Sequence, residues 1–88
     1  MQIFIDRFID YLSLERGLSR NTTVAYGADL CSFAIFLADQ GIGSVSDATR
    51  ETVTDYLLHE KQRGLNTASL CRRLVAIKMF YRYLQQEG

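Results

Sequence analysis

The chain has no proline, one histidine and only two cysteines among its 88 residues, and each shortage removes a class of protein. Without proline, nothing in the sequence deletes an interior backbone donor, so long helices can run unbroken. His59 is the lone histidine, and on a helix beside Glu60 and Lys61 it reads as a surface residue. Cys31 and Cys71 stand forty residues apart, without companions for a zinc cluster or a Cys/His nucleophile. Each lies inside an apolar helical pattern, which reads as a small hydrophobe in a reducing cytoplasm. No glycine-rich loop leads into a helix with Lys-Ser or Lys-Thr, so a nucleotide-phosphate cradle of that kind is not expected. Apolar runs fall far short of the roughly 20 residues that span a bilayer. Asp6, Arg7 and Asp10 break the opening segment where a signal peptide needs an apolar stretch. The expectation is a chain with no catalytic group, metal, cofactor or membrane segment of its own.

What remains is apolar and helical. Apolar residues make up 48% of a chain long enough to bury one core without disulfides or metal, so 1–88 reads as one all-α domain. Phe4, Phe8 and Leu12, with Ile5 and Ile9 alongside, predict a first helix over 2–15 that stops at Gly17. Its Asp6 and Asp10 lie one turn apart on the polar side and read as a solvated pair. A second helix is expected from about Arg20 to Asp39, carrying Tyr26, Leu30, Phe33 and Leu37 on one line and Val24, Ala28, Cys31 and Ile35 on the other side. GIGSVSD at 41–47 is the one loop-like stretch, pinned to the core by Val45. Thr49 suits the N-cap of a third helix, with Glu51 near its positive dipole end and Val53, Tyr56, Leu57 and Glu60 on its inner line. This helix ends near Arg63-Gly64.

The last helix organises the rest. Asn66 suits its N-cap, and Leu65 and Leu70 are placed to form a hydrophobic staple. Leu70, Leu74, Ile77, Tyr81 and Leu84 recur at helical spacing. Val75, Ala76, Met79, Phe80 and Tyr83 cover most other directions, which predicts a helix wrapped by the core in its later turns and exposed and basic in its first. Met79, Phe80 and Tyr83 also qualify as contacts for a second protomer or a further domain, unless the first and third helices cover them. The five tyrosines all lie near apolar stripes and are expected to pack in the core. The overall expectation is four main helices in two hairpins.

Net charge is zero, but it is unevenly spread. Residues 1–60 carry four basic and nine acidic side chains, a balance of −5, and residues 61–86 carry six basic and no acidic ones. Basic groups gathered on one segment matter more than the total for nucleic-acid binding. Two helix starts look alike, RGLSRNT at 16–22 and RGLNTAS at 63–69. Helix N-termini offer free N–H groups and a positive dipole end to phosphate. Ser19, Arg20, Asn21 and Thr22 at one, and Asn66, Thr67, Ser69, Arg72 and Arg73 at the other, add hydroxyl, amide and guanidinium donors. Arg72 and Arg73 suit phosphate or guanine edges. On the residues alone two readings stand: these groups contact DNA, or Ser19 and Asn66 only cap while the arginines are solvated or pair with acids of the first half.

The segments LSRNTTVAYGADLCSFAIFL (18–37) and LNTASLCRRLVAIKMFYRYL (65–84) resemble the N-terminal core-binding domain of tyrosine recombinases, the phage-integrase family, and most of all its bacterial Xer type. The resemblance rests on Leu-Ser-x-Asn-Thr with Tyr26 four residues on, then Asp-Leu and Phe, a second Leu-x-x-x-Ser, an arginine pair and an aromatic-rich ending. It implies a SAM-like bundle of four to five helices in two crossed hairpins, arching over one face of a double-stranded DNA site. It implies further that the second and fourth helices approach the major groove, bringing Ser19, Asn21, Thr22, Tyr26, Thr67, Ser69, Arg72 and Arg73 to it. Partners implied are a separate C-terminal catalytic domain of the same parent chain and other recombinase protomers. That absent domain would carry the family's catalytic Arg, Lys and His and its nucleophilic Tyr, and Gln85–Gly88 reads as a cut at the linker to it. The rival expectation is a helical protein-interaction module, which SAM-like folds also supply.

Overall fold

Capping chemistry sets the helix boundaries. A computed structural model describes residues 1–87, which form α1 (Gln2–Leu14), α2 (Arg20–Asp39), α3 (Arg50–Gln62) and α4 (Thr67–Glu87), with a short 3-10 turn at Val45–Asp47. Gly88, grouped by sequence with the terminal linker, lies outside the described residues. Ser19 caps α2 by accepting the Thr22 N–H at 3.2 Å. Thr49 caps α3 in a capping box with Thr52, and the Asn66 side chain accepts the Ser69 N–H at 2.8 Å. Gly64 ends α3 at φ +100°, and the Leu65 N–H closes onto the Glu60 carbonyl at 3.1 Å. That left-handed step costs a residue with a Cβ roughly 1–2 kcal/mol, which is why glycine suits it.

The result is an all-α bundle in which α1 packs on α2 and α3 on α4, with α4 also lying against α1 and α2. Its Cα dimensions of 34 × 28 × 17 Å leave room for two helix layers across the thin direction. Ile5, Phe8 and Leu12 of α1, Leu30, Phe33 and Leu37 of α2, Tyr56 of α3, and Ala76, Ile77 and Phe80 of α4 form the buried core. Aromatic contacts stitch it at two ends. Phe8 meets Phe80 edge-on at 5.5 Å between α1 and α4, and Phe33 meets Tyr56 at 5.2 Å between α2 and α3. The Tyr81 hydroxyl donates to the Val45 carbonyl at 2.6 Å, tying the 41–47 loop to α4. Burial pushes that phenol up to about 12.

Several expected faces turn out otherwise. Val24 and Ile35 of α2 are largely exposed, because they lie on the side of α2 turned away from α1, α3 and α4. Cys71 is exposed rather than in the core. On α4 the core line shifts to Ala76, Ile77, Phe80 and Tyr83, which leaves Val75 exposed and Leu70, Leu74, Tyr81 and Leu84 half-buried. Phe80 and Tyr83 are buried against α1, so they are not free to meet a second protomer.

Two substitutions test this packing by urea unfolding. Phe80→Ala is expected to cost about 3–5 kcal/mol. Gly64→Ala is expected to cost only about 1–2 kcal/mol, since no atom lies within 4 Å of the added Cβ and the penalty is backbone strain alone.

Candidate nucleic-acid interface

The first turns of α4 do not simply present two cations to solvent. Arg72 and Arg73 follow each other at about 100° around the helix, so they leave it in different directions. Arg72 turns toward α2 and grips Asp29 as a fork, with Nε donating to Oδ2 and Nη2 to Oδ1, both at 2.9 Å. The Arg72 side chain stays 42% exposed while that of Asp29 is 1% exposed. The hydrogen bonds from Arg72 to this carboxylate raise the pKa of the guanidinium.

Arg73 goes inward, against the expectation of an exposed basic turn. Its Nη1 donates to Ser32 Oγ at 2.9 Å and to the Tyr56 hydroxyl at 2.6 Å, and it is bonded to Glu60 Oε1. Its Nε is buried without a hydrogen bond and lies 3.5 Å from Asp29 Oδ1, an ion-pair distance. The physical reason is the pair of acids waiting there. Asp29 and Glu60 are both buried, and a buried carboxylate without a cation is strongly unfavourable. Ser32 also donates to Glu60 at 3.0 Å, the Tyr56 hydroxyl donates to Ser32 at 2.9 Å, and Arg63 reaches Glu60 Oε2 at 3.1 Å. One polar network thus joins α2, α3 and α4.

Burial by itself raises the Glu60 carboxyl, but the Ser32 hydrogen bond and the Arg73 and Arg63 charges outweigh it and hold the group below its ordinary value. Burial also raises the Tyr56 phenol, against the hydrogen bonds with Ser32 and Arg73. His59 lies beside this cluster, exposed on one side, with its ring 5.4 Å from Phe36.

The other candidates sit at the helix starts. Ser19, Arg20 and Asn21 are exposed at the head of α2, as are Asn66 and Thr67 at the head of α4. Thr22, Tyr26 and Ser69 are half-buried. Ser19 and Thr22 bond to each other at 3.0 Å, so their hydroxyls are occupied by capping. The Arg72–Asp29 pair fastens the two helices within about 8 Å of the start of α4 and about 14 Å of the start of α2, at 1.5 Å per residue.

Sequence reasoning put Glu60 on the inner line of α3 but missed Asp29 as the specific partner and part of the basic surface. Asp29 lies three residues after Tyr26 and four before Phe33, on the inner stripe itself, and an acid there is the signal of a buried partner. Lys78 and Arg82 share the exposed side of α4, about 80–120° around the helix from Arg72, and among the described residues no salt bridge engages them or Arg20. Arg82 and Arg16 also line one cleft of about 160 Å³ with Tyr11 and Met79. Among the described residues, no helix is long and apolar enough to cross a membrane.

The described residues thus form a small all-α bundle with two capped helix starts and, on α4, one arginine clamped by a buried carboxylate. The chain belongs to the family described as phage integrase, N-terminal SAM-like domain, which it matches over residues 5–88. It is 40% identical to a tyrosine recombinase XerC of Herpetosiphon aurantiacus, over 97% of this chain and 28% of that one. A tyrosine recombinase XerD of Pseudomonas putida is also 40% identical, over 94% of this chain and 28% of its own length. The XerD of Caulobacter vibrioides is 37% identical, over 99% and 28%. The chain thus spans a little over a quarter of the curated relatives it matches. No solved structure matches it.

Two stability measurements test the network. Arg73→Ala removes one of the two cations at each buried carboxylate, leaving Arg72 on Asp29 and Arg63 on Glu60, and is expected to cost about 1–3 kcal/mol. Glu60 has a lowered folded pKa, so its contribution is present above the ordinary carboxylate value near 4.5 and is lost as pH falls through the folded value. The wild type should therefore lose stability on acidification below about pH 4.5, and Glu60→Gln should flatten that slope in urea midpoints taken from pH 7 to pH 3.

Proposed function

We propose that this chain is the DNA-binding, core-binding domain of a site-specific tyrosine recombinase. It would hold double-stranded DNA for a strand exchange whose chemistry resides in a C-terminal domain of the same parent. The observation that carries this reading is the family match over nearly the whole chain, supported by the Arg72–Asp29 contact that joins α2 to the early turns of α4. Ser19, Arg20, Asn21 and Thr22 from α2, and Asn66, Thr67, Ser69 and Arg72 from α4, with Tyr26 between them, form the contact surface. Arg73 contributes from behind by holding α4 in place. Arg20, Lys78 and Arg82 supply charge for phosphate. Residues 1–88 act as one domain in the cytoplasm, without catalysis of their own, beside other protomers of the recombinase on DNA.

The rival reading, a helical protein-interaction module, draws support from the exposed Ile35 and Leu58. It predicts little salt-dependent affinity for DNA.

An NMR titration of the ¹⁵N-labelled chain with a short duplex separates the two. Shifts should cluster at 19–22 and 66–73 and weaken as salt rises. Log affinity should fall against log salt with a slope of about −3 if three or four cations neutralise phosphates. Lys78→Ala should soften that slope by about one unit. A spectrum unmoved at low salt would remove the DNA reading in favour of the rival.

A further inference from the structure

Arg72 has five N–H donors in a planar fork, and Asp29 occupies only one side of it. Nε and one hydrogen of Nη2 are spent on the carboxylate, while Nη1 makes no hydrogen bond among the described residues. The opposite edge, one hydrogen each from Nη1 and Nη2, is left as a parallel pair on a side chain that is 42% exposed. Two acceptors in the plane of the fork match that pair, and both guanine O6/N7 and two phosphate oxygens have this form.

The charge around Arg72 decides between them. Asp29 and Glu60 together offset Arg72 and Arg73, so this corner contributes little of the net positive charge on which phosphate binding and counterion release depend. Lys78 and Arg82, without ion pairs, are better placed for that task. What the corner offers is direction: a guanidinium clamped at its base by a buried carboxylate that Arg73 also holds. We propose that Asp29 is a positioning residue that holds Arg72 by its Nε/Nη2 side, so that the Nη1/Nη2 edge reads the O6 and N7 of one guanine in the major groove. This deepens the DNA-binding reading and rests on it.

The test is a selection of 20-base-pair duplexes of randomised sequence on the 88-residue chain, followed by affinities for the enriched duplex and for the random pool. The wild type should enrich guanine at one position, and changing that base should weaken binding roughly 5- to 100-fold. Asp29→Asn, which keeps the size but loses the charged clamp, should bring that preference close to one while binding to the random pool is not weakened. Arg72→Lys keeps the charge without the fork and should lose the same preference. It also serves where the Asn variant unfolds, with thermal unfolding recorded for each.

Guanine enrichment that survives either folded variant overturns the assignment. So does a wild type that binds duplexes without favouring guanine anywhere, or an Arg72→Lys variant that changes only the salt slope, since Arg72 would then touch phosphate. Those results leave the DNA reading standing. No binding to the random pool at low salt removes both.

Discussion

The structure depends on how a carboxylate is accommodated between α2 and α4. Asp29 has 1% of its surface exposed, and burying it requires cations at hydrogen-bonding distance. Arg72 and Arg73 meet that need from consecutive positions of α4, one as a fork and one as a neighbouring charge. A shift of α4 by one residue would translate it by about 1.5 Å and rotate it by about 100°, which breaks both contacts at once. Apolar neighbours such as Ile77 and Leu30 tolerate small rotations, whereas directed hydrogen bonds do not. Glu60 imposes the same condition on α3, through Arg73, Ser32 and Tyr56. The hydrophobic core holds the helices together, and the acids determine their register.

Most of the fold was legible because its punctuation is local. The caps at Ser19, Thr49 and Asn66 and the stops at Gly17 and Gly64 act within one helical turn, so residue type and spacing suffice to read them. Faces were harder. Periodicity gives an apolar arc but not how many neighbours cover it, so Val24, Ile35 and Val75 read as buried and prove exposed. The candidate surface divides along the same line. The helix starts were visible as sequence. The aim of the arginines was not, because it depends on acids 43 and 13 residues away along the chain. Pairing of the arginines with first-half acids was one of two readings open from sequence, and it describes Arg73 fully and Arg72 on one side only.

The lopsided charge distribution takes on a different meaning with the fold in view. The excess of acid in residues 1–60 and of base after them is partly an internal matter, since Asp29 and Glu60 cross over to neutralise the arginine pair. The exposed cations of α4 that no salt bridge engages, among the described residues, are Lys78 and Arg82, further along the helix. On the proposed reading, charge for a polyanion and geometry for a base edge come from different residues of one helix.

That separation bears on why so costly an arrangement suits this place. A buried ion pair often stabilises a protein no better than apolar residues of the same shape, so stability alone gives weak reason for Asp29, Glu60 and two arginines where leucines would fit. Orientation gives a stronger one. A free arginine carries about 2 kcal/mol of rotamer entropy, which a ligand must overcome each time it binds. Clamped by Asp29, Arg72 has lost much of that freedom on folding, and the loss is offset by the packing of the whole bundle. A fork fixed in advance also discriminates between acceptors by direction, which a mobile charge cannot do. On the proposed reading, the network serves to convert folding energy into the aim of one side chain more than to add stability.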